Sequence, residues 1–241
     1  MDIVVKTQAS AALLRRDLRF VAIKEKALVY ASFFKTGKGE YGEGDKFLGV
    51  TVPKQRVIAK KYSDLALPEI SLLLESPIHE ERLVALIILV SQYAKGDMVS
   101  QKKIYDFYLA HTTQINNWDL VDSSAQYIVG EYLLKRDRKM LYLLVRSKSL
   151  WERRIAIIAT WAFIKRGDFA DIFAITELLL SDKHDLIHKA LGWMLREVGK
   201  RDEAALEEFL VKHIKVLPRT TLRYAIERFG SQKRIQYLKM K

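Results

Sequence analysis

A chain of 241 residues, 49% hydrophobic and 29% charged, is long and apolar enough to bury a sizeable core, which excludes a disordered protein. Lys and Arg number 41 against 29 Asp and Glu, and the resulting charge of +12 makes a polyanion, nucleic acid first, the natural partner. Cysteine is absent, excluding disulfides and thiolate chemistry. No apolar run has the length of a membrane span, and residues 1–14 lack a signal-peptide core and cleavage site, so a cytoplasmic protein is expected.

In chain order, residues 10–34 place Ala11, Leu14, Leu18, Val21, Leu28 and Ala31 among charges, the pattern of one or two amphipathic helices. Residues 35–46 hold four of the 11 glycines and predict a loop. Gly37, Gly39 and Gly42 fit the letter of G-x-G-x-x-G. A dinucleotide site, however, needs a strand before the first glycine and a helix opening at the third, whereas here a helix precedes and more loop follows. A flexible connector that could fold on a ligand is the expectation. Residues 47–52 read as a short extended piece, and Pro53 opens a helix through Lys61. Beyond it the starts predicted at His79, Asn117, Trp151, Asp185 and Pro218 recur at roughly 33 to 38 residues, with two helical stretches in each interval. That period predicts an all-α fold, an α-solenoid of about six HEAT-like helical pairs with a concave basic face. A single domain over residues 1–241 is expected.

Candidate chemistry lies mainly in the later helices. Asn117 is a favourable N-cap, so Trp118 and Asp119 should open a helix running to about Lys135. Trp118 and Asp122, four apart, then stand side by side at its exposed start. The plainer alternative is a Trp filling a core and an Asp complementing the helix dipole. On the helix from Asp185, residues Lys189, Trp193, Arg196 and Lys200 form one basic face interrupted by an indole, while Ala190, Leu191, Met194, Leu195 and Val198 supply the buried side. Arg153 and Arg154 oppose a helix dipole in the first turn after Trp151, so each is paired with Glu152 or open to an anion. From residue 189 onward there are 13 Lys and Arg against 6 Asp and Glu, and Arg219, Arg223, Lys233 and Arg234 are natural phosphate contacts. His184 and His188 are four apart, but no Glu follows the first and no third ligand is evident, so no metal site and no cofactor is expected. With no nucleophile elbow, phosphate loop or cysteine, carboxylate chemistry remains, and Asp122 is its best candidate.

Several dispersed blocks taken together resemble the AlkD-type DNA alkylation repair proteins. They are Phe47-Leu48-Gly49-Val50 followed by Pro53 and Arg56, Trp118-Asp119-Leu120-Val121-Asp122, the Trp151 to Arg154 run, and Lys189-Ala190-Leu191-Gly192-Trp193-Met194-Leu195-Arg196-Glu197. The resemblance spans nearly the whole chain. It implies a stack of HEAT-like pairs holding duplex DNA, and a glycosylase for N3- and N7-alkylated purines that acts as a monomer without base flipping. Asp122 would be the catalytic carboxylate, Trp118 and Trp193 the indoles against the lesion nucleotide's backbone, and Arg154 a basic group beside them. Phe33, Lys35, Thr51, Lys54, Arg56, Lys189, Arg196, Lys200, Arg219 and Arg223 are the expected DNA contacts. Phe33 departs from the pattern, since the family often carries a Tyr there, so stacking survives and a hydroxyl contact is lost. A DNA-binding protein without catalysis is the alternative.

Overall fold

The computed structural model describes residues 9–241; the earlier part of the stretch read for a signal lies outside them. The fold is all-α, with the helix-after-helix succession of an α-solenoid, and the described residues contain no strand, only one isolated bridge between Lys46 and Ile78. None of the described helices is long and apolar enough to cross a membrane. The chain forms two compact units, Met1–Ser124 and Ala125–Lys241.

The first unit holds α1 (Ala11–Phe20), α2 (Lys24–Phe33), α3 (Val52–Lys61), α4 (Leu67–Leu74), α5 (His79–Lys95), α6 (Met98–Ala110) and α7 (Trp118–Asp122). Ser10 caps α1 through the Leu13 amide, and Ala11, Leu14 and Leu18 form its buried stripe at helical spacing. The centre of the unit is α5, against which α1, α3, α4, α6 and α7 pack. It buries Leu83, Val84, Ala85, Leu86, Ile88 and Leu89 almost continuously. Each of the Leu, Ile and Val side chains contributes roughly 1.5 to 3 kcal/mol when removed from water, which is why a helix apolar nearly all round sits inside. In contrast, α2 buries none of its residues.

Two expectations for this unit need correction. The helix predicted from Asn117 to Lys135 ends after five residues at Asp122. The Ser124 hydroxyl donates to the Leu120 carbonyl at 2.5 Å and the Ser123 hydroxyl to the same oxygen at 3.3 Å. Serine hydroxyls compete in this way for helix carbonyls, and a turn replaces the next α-helical bond. After the break, Gln126–Gly130 winds as a π-helix, leading to α8 (Glu131–Leu133).

Residues 35–46, expected to be a flexible connector, form instead a hydrogen-bonded sequence of turns. Gly42 donates to the Lys35 carbonyl, Glu40 and Glu43 carboxylates accept from the Gly37 and Gly39 amides, and Asp45 is anchored from three sides. The extended piece that follows meets α5 through Glu80, whose carboxylate accepts from the amides of Leu48, Gly49 and Val50 at 2.8 to 3.2 Å. On its other side the piece lies against the start of α2, which Gly49 makes possible at φ +78°: a Cβ there would lie 2.0 Å from the Ile23 carbonyl oxygen. Gly49→Ala is therefore expected to destabilise by well over about 1 kcal/mol, whereas Gly44→Ala, at φ +92° with open space around it, should cost only the left-handed backbone strain of about 1 to 2 kcal/mol. Urea unfolding of both variants measures the difference, and equal midpoints would refute the steric account.

The second unit continues with α9 (Lys139–Val145), α10 (Leu150–Ala159), α11 (Trp161–Ile164), α12 (Ala170–Leu178), α13 (Asp185–Gly199), α14 (Glu203–His213), α15 (Arg219–Ala225) and α16 (Ser231–Met240). Here α13 is central, packed by α10, α14 and α15, and its buried side includes Ala190, Leu191, Met194, Leu195 and Val198 as the sequence pattern predicts. Gly192 lets α15 approach, because a Cβ there would meet the Tyr224 Cβ at 2.4 Å and the Thr221 carbonyl at 2.6 Å.

Candidate active site

In the first unit, α7 carries Trp118 and Asp122. Asn117 caps the helix by accepting from the Trp118 amide at 2.8 Å, as its position predicts. Trp118 is half-buried. Its ring stacks on Phe34 with centroids 5.3 Å apart and planes 18° from parallel, and Phe33 meets it edge-on at 5.9 Å. Phe34 stacks in turn on Phe47, and Phe47 on His79, so the indole is the outer layer of a pile of rings. Phe33 itself is 61% exposed. Asp122 ends α7 and is partly exposed. Beneath it the fully buried Tyr108 hydroxyl shares a 2.9 Å hydrogen bond with Ser124; burial pushes its pKa up, and the charge of Asp122 adds to that.

The indole plane is held by a charge network entered through α5. His79 is 2% exposed, with Nδ1 2.9 Å from Asp45 Oδ2 and Nε2 2.8 Å from Asp119 Oδ2. Arg82 donates to the other Asp45 oxygen at 2.5 Å and to the Ser76 carbonyl at 2.8 Å, and Asn117 donates to Asp45 at 3.2 Å. Burial opposes a charged imidazole and Arg82 repels it. The Asp119 charge and the hydrogen bonds His79 donates to both carboxylates outweigh these and hold the His79 pKa up at about 9. Asp45 shows the complementary balance: burial raises its pKa, but His79, Arg82 and Asn117 bring it below the usual carboxylate value. With Glu81 bonded by Arg15 and Arg19 and Glu80 by backbone amides, the first four residues of α5 are all buried, titratable and engaged.

This cluster was missed in the sequence reading, where His79 marked only a helix start. Four consecutive titratable residues, His79-Glu80-Glu81-Arg82, directly ahead of an apolar helix were the available signal, because such a run cannot be buried without dedicated partners. Beside the ring pile, the same unit encloses a cavity of about 500 Å³, which no motif announced.

The remaining first-unit candidates lie toward the surface. Lys35 is exposed at φ 55°, Thr51 is the half-buried N-cap residue of α3, and Lys54 and Arg56 project from that helix into solvent.

In the second unit, Trp193 is half-buried on α13. Arg154, expected to face an anion or Glu152, is only 5% exposed and donates to the Leu186 carbonyl at 2.6 Å, tying α10 to the start of α13. Its neighbour Arg153 bonds Asp182 and the carbonyls of Ser147 and Lys148. The cations of the basic face are matched by carboxylates: Lys189 with Asp185, Arg196 with Glu227, and Lys200 with Glu197. Arg219 donates to the Leu238 carbonyl, and Arg223 is exposed beside a polar hollow of about 400 Å³ that Lys189 and Arg234 also line. His184 accepts from the Leu186 amide at the start of α13, and His188 bonds the Asp182 carbonyl.

A structure from Enterococcus faecalis described as a predicted DNA alkylation repair enzyme shares the fold with a TM-score of 0.68 at 16% identity, over 87% of this chain and 97% of that one. The structure of smu.31 from Streptococcus mutans UA159 aligns with a TM-score of 0.48 at 17% identity, over 96% and 97% of the two chains. No curated protein matches the chain. The sequence profile described as DNA alkylation repair enzyme matches residues 14–229. This extent, on an all-α fold of the same kind, establishes that the chain belongs to the DNA alkylation repair enzyme family.

Proposed function

We propose that this DNA alkylation repair enzyme is a monofunctional glycosylase, which hydrolyses the N-glycosidic bond of N3- and N7-alkylated purines in duplex DNA. The observation that carries the reading is the partly exposed Asp122 on the same five-residue helix as an indole locked in a ring stack. An alkylated purine is cationic and leaves with the bonding electron pair as a neutral base. The sugar is left with oxocarbenium character at C1′. A fixed carboxylate stabilises that developing cation and takes the proton of the water that attacks it, the tasks carboxylates perform in glycoside hydrolysis. Hydrolysis at C1′ does not in itself require the base to be flipped.

The net charge of +12 supports duplex binding by counterion release, with the protein acting as a monomer on cytoplasmic DNA. Lys35, Thr51, Lys54, Arg56 and Phe33 are proposed DNA contacts of the first unit. Lys189, Arg196, Lys200, Arg219 and Arg223 are those of the second, where Trp193 and Arg154 take the backbone-facing roles the resemblance assigns. Lys189, Arg196 and Lys200 would exchange their carboxylate partners for phosphates, so binding should weaken steeply with salt. The test is release of 7-methylguanine or 3-methyladenine from methylated duplex DNA by the purified protein, followed by chromatography. Salt-sensitive duplex binding with no base released would replace this reading by that of a non-catalytic DNA-binding protein.

A further inference from the structure

A helix of five residues makes little more than one turn and is not held by its own hydrogen bonds, so α7 owes its position to the groups that grip it. Its two ends are gripped differently. At the start, Asn117 accepts from the Trp118 amide and His79 holds the Asp119 carboxylate. At the end, where Asp122 sits, the grip is a relay of hydroxyls. The Ser124 hydroxyl aims its single proton at α7, toward the Leu120 carbonyl at 2.5 Å and, more distantly, that of Val121 at 3.5 Å. Across the 2.9 Å contact between Tyr108 and Ser124, the phenol is therefore the donor. The relay serves a carbonyl that needs it: the Ser124 amide, its partner in a continued α-helix, bonds Val121 at 3.1 Å instead, and the Ser123 hydroxyl reaches it only at 3.3 Å. Tyr108, Leu120 and Ser124 are all fully buried. Packing alone would be served by a phenylalanine at 108, since a buried hydroxyl costs desolvation that only a partner offsets.

We infer that Tyr108 and Ser124 are positioning residues for the proposed reaction: through the Leu120 carbonyl they hold the last turn of α7, and with it the Asp122 carboxylate. The inference rests on the reading of Asp122 as the group that faces the developing oxocarbenium. Both hydroxyls are buried, so they act through α7 and not on the DNA. A misplacement of about 1 Å at a reacting group can cost roughly a hundredfold in rate, so a slack final turn is felt as slower chemistry even while the start of α7 stays in place.

The experiment compares Ser124→Ala and the double variant Tyr108→Phe, Ser124→Ala with the wild type, as full chains. Thermal stability, affinity for methylated duplex DNA and single-turnover release of 7-methylguanine are measured on each. Ser124→Ala leaves the Tyr108 hydroxyl buried without its acceptor, so the unfolding midpoint should fall; adding Tyr108→Phe removes that orphan and should bring the midpoint back up. Release is expected to fall about tenfold or more in Ser124→Ala and not to recover in the double variant, with duplex affinity unchanged. Release that follows the midpoint back up would make the relay merely structural and overturn the inference. Added to Asp122→Asn, Ser124→Ala should bring no further loss, because it acts through that carboxylate; a full second loss would equally overturn it. Hydrogen exchange of the Ser123 amide, which bonds the Asp119 carbonyl at 3.0 Å, reads the grip without needing activity. It should quicken about tenfold in the double variant, the size of one hydrogen bond. Unchanged exchange overturns the positioning role. Faster exchange in a protein whose wild type releases no base leaves the grip on α7 standing and overturns the glycosylase reading alone.

Discussion

Asp122→Asn is expected to slow release of 7-methylguanine from methylated duplex DNA by roughly a hundredfold or more, the loss seen when one preorganised group facing transition-state charge is removed. The substitution keeps the shape of the side chain and the end of α7, so folding and duplex affinity should stay near wild type. What it removes is the full negative charge opposite the developing oxocarbenium and the base that accepts the water's proton. Single-turnover kinetics at saturating enzyme isolates the chemical step from binding. Wild-type release by Asp122→Asn would sink the catalytic assignment. A loss appearing only as weaker DNA binding would make Asp122 a binding residue.

The second large effect is expected at His79, some distance along the chain from any group assigned to the reaction. His79→Leu leaves the partly exposed Asp119 without its cation and the buried Asp45 with Arg82 alone, and removing one partner of a buried ion pair typically costs about 3 to 5 kcal/mol. Because Asp119 lies in the first turn of α7, the helix that carries Trp118 and Asp122 should loosen, and base release should fall with it. The pH dependence separates this network from simple loss of packing. A folded-state pKa raised from 6.5 to about 9 contributes stability that is fully present below 6.5 and is lost as pH rises through 9; the whole contribution is roughly 3 kcal/mol. The stability gap between wild type and His79→Leu, measured by urea unfolding, should therefore shrink between pH 6.5 and 9.5. A gap independent of pH would show that the imidazole does not bear its charge in the folded protein.

Helical punctuation was well written in the sequence. Starts predicted at His79 and Asp185 coincide with α5 and α13, Asn117 caps α7, and the apolar positions of α13 are buried. These rules depend on neighbours three or four residues apart, which a single sequence displays. The break at Ser123 was harder to see because it is a contest between hydroxyl and amide for the Leu120 carbonyl, and an apolar pattern carries no sign of who wins. The cavity was invisible for a different reason. Its walls come from Phe33 and Phe34, from Phe47 and Gln55, from α5 and from α7, four stretches that become neighbours only on folding. Asp119, first an equal rival of Asp122, turns out to serve His79 and the Leu120 amide. The cations at 189, 196 and 200 were correctly placed on one helix, but the carboxylates that neutralise two of them lie at Asp185 and Glu197 on that helix, and the third at Glu227 lies on another stretch.

The clamp on Asp45 also has a bearing on how the protein is made. Asn117 reaches Asp45 across 72 residues of chain and His79 across 34, so the turns of residues 35–46 leave the ribosome long before the groups that hold them exist. At a synthesis rate of roughly 5 to 20 residues per second, that interval is about 4 to 15 seconds. Throughout it the aromatic rings of Phe34 and Phe47 await Trp118, their outermost layer. The ring stack is thus completed late in the synthesis of its own unit, by the same short helix that supplies the proposed catalytic carboxylate.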